Sequence, residues 1–289
     1  PDMFIPLEFS VAAFRFGHSM IRQSYNLNAA HFDNSPPLAN DNSAKLDELM
    51  MFTGRGKMDS NPLRLKLPSS WIINWNLFYE IDGFSPVNPA EPINTELPIA
   101  LLRLRPNTGV EPRGPATSLA ALDLFRGRRF GLPAGQDAAR KIGEAPLSAE
   151  QITGLIMSRE IKYVAAEEAQ KIKEQLCRDF SERTPLWFYI LAEAEIQNDG
   201  KLGAVGSRIV AETVIQLLYH SEYSILRREW EDDENFLLKN DEFLDIPEIR
   251  TFDMPEMLRF VQRMNEEHFE LLYPDTKHRF DELNPLGNG

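Results

Sequence analysis

Hydrophobic residues recur along most of this chain at the three- and four-residue spacing of a helix. The first such stretch extends from Leu7 to Gln23, with apolar positions at Val11, Phe14, Met20 and Ile21. The strict alternation of a half-buried strand is not sustained over any long block, and no internal repeat is visible. The pattern therefore predicts a mainly α-helical fold.

Several later helices are indicated by the residues at their ends. Ser148 and Gln151 have the spacing of a capping box, and Thr117 or Ser118 caps a helix that ends near Gly131–Pro133. The other predicted helices lie at residues 44–52, at 68–81 with Trp71, Trp75 and Phe78 on one face, and at 158–180, 184–196, 206–226 and 255–264. Residues 26–43, 54–62 and 83–116 are rich in turn-forming residues and predict loops, although INTELPIALLRL in the last is apolar enough to pack.

Composition limits the classes of function. The chain has 289 residues, 43% of them hydrophobic and 26% charged, which is enough for a sizeable core, and its net charge is −13. This acidic balance argues against a general nucleic-acid binder and against docking on anionic lipid. No run approaches the ~20 apolar residues of a membrane span. The single cysteine, Cys177, forms no internal disulfide, and a cytoplasmic and an exported location both stay open.

His18 stands in the sequence FRFGH between two arginines. On a helix, Arg15 and Arg22 are its neighbours three residues before and four residues after, and Gly17 leaves room for a bulky group. A neutral imidazole can ligate iron, and guanidinium groups pair with carboxylates. Two interpretations follow: a structural histidine, or a ligand to an anionic ring that carries a metal.

Asp123 is the candidate partner of His18. It lies in an apolar helical turn, where a buried carboxylate requires a partner. A histidine that binds a metal donates its other ring N–H to an acceptor of this kind. Arg126 lies three residues later, so a surface ion pair between Asp123 and Arg126 is the alternative interpretation.

Two motifs together resemble a known family. EFSVAAFRFGHSMIR, residues 8–22, is similar to the proximal-histidine helix of animal-type haem peroxidases. LAALDLFRGRRFGLPAGQ, residues 119–136, is similar to that family's second signature, and the bacterial branch is the closer match. Residues 88–104 and 185–218 extend the resemblance, which covers roughly Glu8 to Val261.

The resemblance implies a role for each site residue. His18 matches the axial ligand to the iron of haem b, and Arg15 and Arg126 match arginines that face the haem propionates. Asp123 stands where the family usually has an asparagine that accepts a hydrogen bond from the proximal imidazole. An ionised carboxylate there would pull the imidazole toward imidazolate and lower the iron reduction potential, which is our hypothesis for this departure.

The resemblance also implies an activity. The expected enzyme reduces hydrogen peroxide and oxidises a small donor or a halide, as in a response to oxidative stress. The family's distal histidine, distal arginine, haem-linking carboxylates and calcium loop precede the proximal histidine, and they cannot be matched to the 17 residues before His18. The chain begins PDMF, without a methionine. We therefore expect residues 1–265 to be the proximal part of a peroxidase domain and 266–289 a tail, with the distal pocket supplied by an N-terminal half or a companion chain.

Alternatives remain at this point. The chain could be a non-catalytic haem-binding scaffold or sensor, a haem-dependent fatty-acid dioxygenase, or a helical interaction module without haem. A dioxygenase needs a tyrosine over the haem, and Tyr79, Tyr189 and Tyr219 are the candidates considered. The other histidines are interpreted as packing or surface residues; they are His31, His220, His268 and His278.

Overall fold

The computed structural model describes residues 4–28, 43–53, 72–81, 86–104, 117–161, 164–221 and 253–259. Over these residues the protein is mainly helical, which confirms the predicted class at that level. The chain forms two compact units. Unit 1 comprises Pro1–Ile21, Glu91–Pro106 and Val110–Phe236; unit 2 comprises Arg22–Ala90, Asn107–Gly109 and Leu237–Gly289. The predicted boundary between residues 265 and 266 lies outside the described residues.

The elements are named in chain order. The α-helices are α1 (Leu46–Thr53), α2 (Ile99–Leu102), α3 (Leu119–Arg129), α4 (Gly135–Lys141), α5 (Ala149–Ser158), α6 (Ala166–Phe180), α7 (Leu186–Gln197) and α8 (Ala204–His220). Residues 254–259 are also helical. The two strands are β1 (Ser24–Tyr25) and β2 (Ala44–Lys45). None of the helices in the described ranges is long and apolar enough to cross a membrane.

Helix α7 is the centre of unit 1. It is apolar on nearly every side, which is the pattern of a helix surrounded by protein. Helices α3, α4, α5 and α8 contact it, as does the segment that carries His18. Its buried residues are Leu186, Trp187, Tyr189, Ile190, Leu191, Ala192, Glu193 and Ala194. The INTELPIALLRL segment packs as predicted, because Ile93 and Leu101 are buried.

The first helix differs from its prediction in type and in length. Instead of one α-helix over Leu7 to Gln23, a π-helical turn (Glu8–Ala12) is followed by a 3₁₀-helix (Ala13–His18). We call Glu8–His18 the His18 segment. The change occurs at Ala12, whose backbone leaves the helical region with φ −127° and ψ −68°. Phe14, predicted on the buried face, is 61% exposed.

The 3₁₀ geometry changes which cations accompany His18. A 3₁₀-helix has three residues per turn, so side chains at i and i+3 eclipse each other. Arg15 and His18 therefore project from the same side. Arg22 lies beyond the end of the segment, so the prediction that it flanks His18 on the same helix is wrong. The Arg22 Nη1 donates to the carbonyl of Pro89 at 3.0 Å.

Two predicted helix starts are confirmed. The Ser118 hydroxyl caps α3 by accepting from the N–H of Ala121 at 3.3 Å. At α5 the capping box is complete: the Gln151 N–H donates to the Ser148 hydroxyl, and the Ser148 N–H donates to the Gln151 side chain. Helices α1, α6, α7 and α8 match predicted stretches to within a few residues, except that α6 begins well inside the charged run.

The predicted helix over residues 68–81 is wrong where the structure describes it. Only a 3₁₀ turn, Trp75–Leu77, forms there, and Asn74 before it is extended. The Asn74 side chain accepts from the N–H of Asn76, a local bond that competes with a continuous helix. Residues 68–71, including Trp71, lie outside the described ranges.

The described part of unit 2 is held by backbone pairing and by buried amides, of which Asn88 makes the most hydrogen bonds. Strands β1 and β2 are antiparallel, with Ser24 opposite Lys45 and Tyr25 opposite Ala44. The Asn88 side chain accepts from the N–H of Asn26 and donates to the carbonyls of Asn26 and Leu77. These hydrogen bonds satisfy the buried Asn88 side chain and connect its loop to Asn26 and Leu77.

Candidate functional site

His18 and Asp123 meet in unit 1. His18 is the last residue of the His18 segment, and Asp123 lies in the first half of α3. The His18 Nδ1 is 2.9 Å from the Asp123 Oδ2. Asp123 is only 1% exposed, as expected for a carboxylate that faces inward from an apolar turn.

Arg15 completes the cluster from the same segment. Its Nη1 donates to the Asp123 Oδ1 at 2.7 Å, and its Nε donates to the carbonyl of Ser10 at 3.1 Å. The indole N–H of Trp187, on α7, donates to the carbonyl of Arg15 at 3.3 Å. Both the backbone and the guanidinium of Arg15 are thus held in place. The sequence led us to expect a haem propionate as its partner, and Asp123 is the partner that the structure gives it.

The arrangement defines the roles of the atoms. A buried carboxylate is costly unless it is paired and hydrogen-bonded, and here each oxygen of Asp123 has a partner. Because Asp123 also accepts from a guanidinium, it acts as an acceptor toward His18, and the His18 Nδ1 is the protonated ring nitrogen. In the neutral form of such an imidazole, Nε2 carries the lone pair. The His18 side chain is 27% exposed, so a ligand can reach it.

Arg126 does not join this cluster. It is exposed in the last turn of α3, and no partner for its guanidinium is found within the described ranges. The alternative of a surface pair between Asp123 and Arg126 is therefore wrong. The physical reason is that Asp123 turns into the protein, where Arg15 and His18 satisfy both of its oxygens.

The space beside His18 is open. A Cβ added at Gly17 would meet no atom within 4 Å. Three large apolar side chains of the same two elements are exposed: Phe14 in the His18 segment, and Leu122 and Phe125 in α3. An imidazole lone pair, open space and exposed apolar side chains suit a flat apolar ligand that carries a metal.

The donor set also fits a metal that brings other ligands with it. A structural metal ion usually requires four protein ligands. Across the residues with described positions, no group of three or more His, Cys, Asp or Glu side chains could hold an ion. His18 offers one nitrogen donor, which suits a metal ion whose other ligands come from elsewhere.

Two cavities lie in unit 1. One, of about 240 Å³, is lined by Asp123, Arg128, Arg183 and Trp187 among others, and is smaller than a typical site for a drug-sized ligand. The other, of about 510 Å³, contains none of the sequence-predicted site residues. His18 lines neither of these two cavities.

Glu193 is a buried acid that the sequence analysis missed. It is 1% exposed on α7, and its carboxylate accepts from the N–H groups of Val205 and Gly206 at 3.0 and 3.4 Å. Burial raises the pKa of Glu193, while these two hydrogen bonds act in the opposite direction. The signal that could have revealed it is an acid within an otherwise apolar helix.

The three candidate tyrosines differ in their surroundings. Tyr189 is completely buried, its hydroxyl accepts from the N–H of Leu147 at 3.0 Å, and burial raises its pKa. Tyr219 is exposed near the end of α8, and Tyr79 belongs to unit 2.

His220, the last residue of α8, fits the packing interpretation. Its Nδ1 is 2.9 Å from the carbonyl of Gln216 in the preceding turn. The remaining three histidines, His31, His268 and His278, lie outside the described residues.

Comparisons with known proteins add no relative. No family model matches this chain, and no curated protein matches it either. The resemblance to animal-type haem peroxidases therefore rests on the sequence motifs.

Proposed function

We propose that this chain forms the proximal face of a haem-b peroxidase, an oxidoreductase that reduces hydrogen peroxide while oxidising a small donor. His18 binds the haem iron through Nε2. The observation that carries the proposal is the contact of 2.9 Å between the His18 Nδ1 and a carboxylate oxygen of Asp123, which is 1% exposed. Histidines that ligate metals have such a partner almost without exception.

The residues present fit this group. His18 offers one nitrogen lone pair, and Gly17 leaves space beside it. Arg126 is free within the described part of the chain, and Arg15 has one terminal nitrogen, Nη2, outside its described hydrogen bonds; both can face propionates. When bound, haem supplies the electron transfer that lets the peroxide O–O bond be cleaved and donors be oxidised.

The chain's own residues orient and tune the axial ligand. Asp123 fixes which nitrogen of His18 carries the proton and how the ring is turned, and its charge makes Nε2 a stronger donor. Burial of Asp123 keeps water from competing for this bond. In the proposal, the acid–base pair that moves the protons of peroxide, and any calcium site, come from an N-terminal half or a companion chain.

The first test is a spectrum of the protein as purified, with haem added, together with its intact mass. We expect a Soret band shifted from that of free haem in wild type, lost in His18→Ala and retained in His220→Ala. His220 is the matched control because it is a histidine whose described contacts are local, with the carbonyl of Gln216 and the ring of Tyr219. Equal bands in the two variants would overturn the assignment of His18.

Turnover decides between an enzyme and a scaffold or sensor. The wild-type preparation, with any chain that co-purifies, is assayed for peroxide-dependent oxidation of a phenolic donor. Oxidation that depends on His18 supports the peroxidase. A Soret band that depends on His18, without turnover in any preparation that contains the co-purifying chain, replaces the peroxidase with a haem-binding scaffold or sensor.

A glycine substitution tests the space beside His18. Gly17→Leu should leave the haem-free fold intact, because nothing lies within 4 Å of the new Cβ, and should weaken haem affinity about tenfold or more, or roughly 1.4 kcal/mol. Gly154→Leu is the control, since that glycine in α5 is equally open. Unchanged haem affinity in Gly17→Leu would show that the ligand does not use this space.

A further inference from the structure

We infer that Arg15 is a positioning residue that sets how strongly Asp123 acts on His18. The Arg15 guanidinium and the His18 imidazole bind the same carboxylate. The positive charge of Arg15 weakens the hydrogen bond that His18 donates to it. The inference rests on the proposed function only for its consequence at iron, since the contacts belong to the protein itself.

The backbone brings both partners to one carboxylate. Because the His18 segment ends as a 3₁₀-helix, Arg15 and His18 are eclipsed and reach the same side chain on α3. The oxygens of Asp123 are divided between them: Oδ1 accepts from the Arg15 Nη1 at 2.7 Å, and Oδ2 faces the His18 Nδ1 at 2.9 Å. One buried negative charge is thus shared by a cation and an imidazole.

Arg15 is held so that this division persists. Its Nε donates to the carbonyl of Ser10, and its own carbonyl accepts from Trp187 on the central helix. Its side chain is 19% exposed, so water screens the pair with Asp123 only in part. A guanidinium fixed in this way defines which oxygen of Asp123 faces His18.

The electrostatic consequence has a definite direction. Charge-assisted hydrogen bonds are strong in a protein interior, and Arg15 draws the carboxylate's negative charge toward Oδ1. Oδ2 is therefore a weaker acceptor than in an isolated carboxylate. The pair of Asp123 and Arg15 has no net charge, so this carboxylate pulls on the imidazole less strongly than an unpaired aspartate would.

The main experiment uses haem-free protein and needs no activity. Nitrogen-15 and proton NMR of labelled histidines follows the His18 Nδ1–H signal, whose proton shift moves downfield as its hydrogen bond strengthens. Arg15→Gln should move this signal downfield. Arg15→Lys should move it less, because lysine keeps the positive charge but lacks the planar, two-pronged donor group of arginine. Arg129→Gln, an exposed arginine of α3, is the control and should leave it in place.

Combining the Arg15 and Asp123 substitutions separates an electrostatic effect of Arg15 on His18 from a purely structural role of Arg15. In an Asp123→Asn background, Arg15→Gln should no longer move the signal, since the charge that Arg15 shares is gone. In haem-loaded protein, Arg15→Gln alone should lower the Fe(III)/Fe(II) potential. A role limited to stability would lower the unfolding midpoint and leave the shift and the potential unchanged.

The outcomes distinguish the two proposals. An unchanged or upfield signal in folded Arg15→Gln overturns this inference, whatever the haem experiments show. If Arg15→Gln does not fold, an Arg15→Lys signal that does not move overturns it. Absence of a Soret band in wild type overturns the proposed function instead, and the NMR result still decides the role of Arg15.

Discussion

Two carboxylates in unit 1 are equally buried and are satisfied in different ways. Asp123 and Glu193 are each 1% exposed. Asp123 is held by two side chains, the Arg15 guanidinium and the His18 imidazole, whereas Glu193 is held by backbone N–H groups at the start of α8. Burial alone therefore does not mark a functional acid. In our proposal the partners do, because Asp123 orients His18 so that its other ring nitrogen can bind a ligand.

The two acids also differ in what they contribute to the fold. Glu193 joins α7 to α8 by accepting from donors that have no partner in the first turn of a helix. Burial is the main cause of the raised pKa of Glu193, and the one charge that contributes to it is another carboxylate, Glu144, which also raises it. We therefore expect changes at Glu193 to alter stability, and changes at Asp123 to alter the properties of His18.

The largest effect is expected for Glu193→Ala. The change leaves the buried N–H groups of Val205 and Gly206 without an acceptor and opens a cavity, so the free energy of unfolding should fall by about 2–4 kcal/mol. Urea denaturation measures it. Glu212→Ala, which removes an exposed pair with Arg208, is the control and should cost less than about 0.5 kcal/mol. If Glu193→Ala lowered the free energy of unfolding by less than about 1 kcal/mol, the expectation that Glu193 serves mainly stability would be contradicted.

Asp123→Asn should have a smaller effect on stability and a clear effect on His18. Arg15 and His18 are partly exposed and can turn to water, so we expect a loss of about 1–2 kcal/mol. The potential of the bound iron should rise, because a neutral amide pulls less on the imidazole. Redox titration beside urea denaturation checks both. An unchanged potential would leave Asp123 with a structural role only.

The smallest effect is expected for Glu193→Gln, and it depends on pH. Because the folded pKa of Glu193 lies above the unfolded value of 4.5, its contribution is fully present below about pH 4.5 and is lost as the pH rises through the folded pKa. Glutamine accepts the same hydrogen bonds and does not titrate. The stability of Glu193→Gln relative to wild type should therefore rise between pH 4 and 7. A constant difference over this range would contradict the raised pKa.

Part of the site could be predicted from the sequence for a physical reason. Asp123 stands in an apolar turn, and a buried carboxylate must be paired; the residues alone left Arg126 and His18 as alternative partners, and the resemblance favoured His18. The helix starts at Ser118 and Ser148 could also be predicted from the sequence, because their capping hydrogen bonds are local. The position of α3 relative to the His18 segment followed from the resemblance and not from periodicity.

The rest depended on contacts that the sequence does not encode locally. Over six residues, a period of 3.0 cannot be told from 3.6, so the 3₁₀ geometry that turns Arg15 toward Asp123 was not visible. The Glu193 carboxylate accepts from residues 12 and 13 positions away, across a helix connection. At Asn74, a side-chain bond to the backbone overrode a stretch that reads as helical.

The most direct measurement of the central claim is the iron–histidine stretching band in resonance Raman spectra of the reduced, haem-loaded protein. The band should be present in wild type, absent in His18→Ala, and at lower frequency in Asp123→Asn, because the imidazole is then a weaker donor. A band that survives in His18→Ala, or one that does not move in Asp123→Asn, would contradict an axial His18 held and strengthened by Asp123.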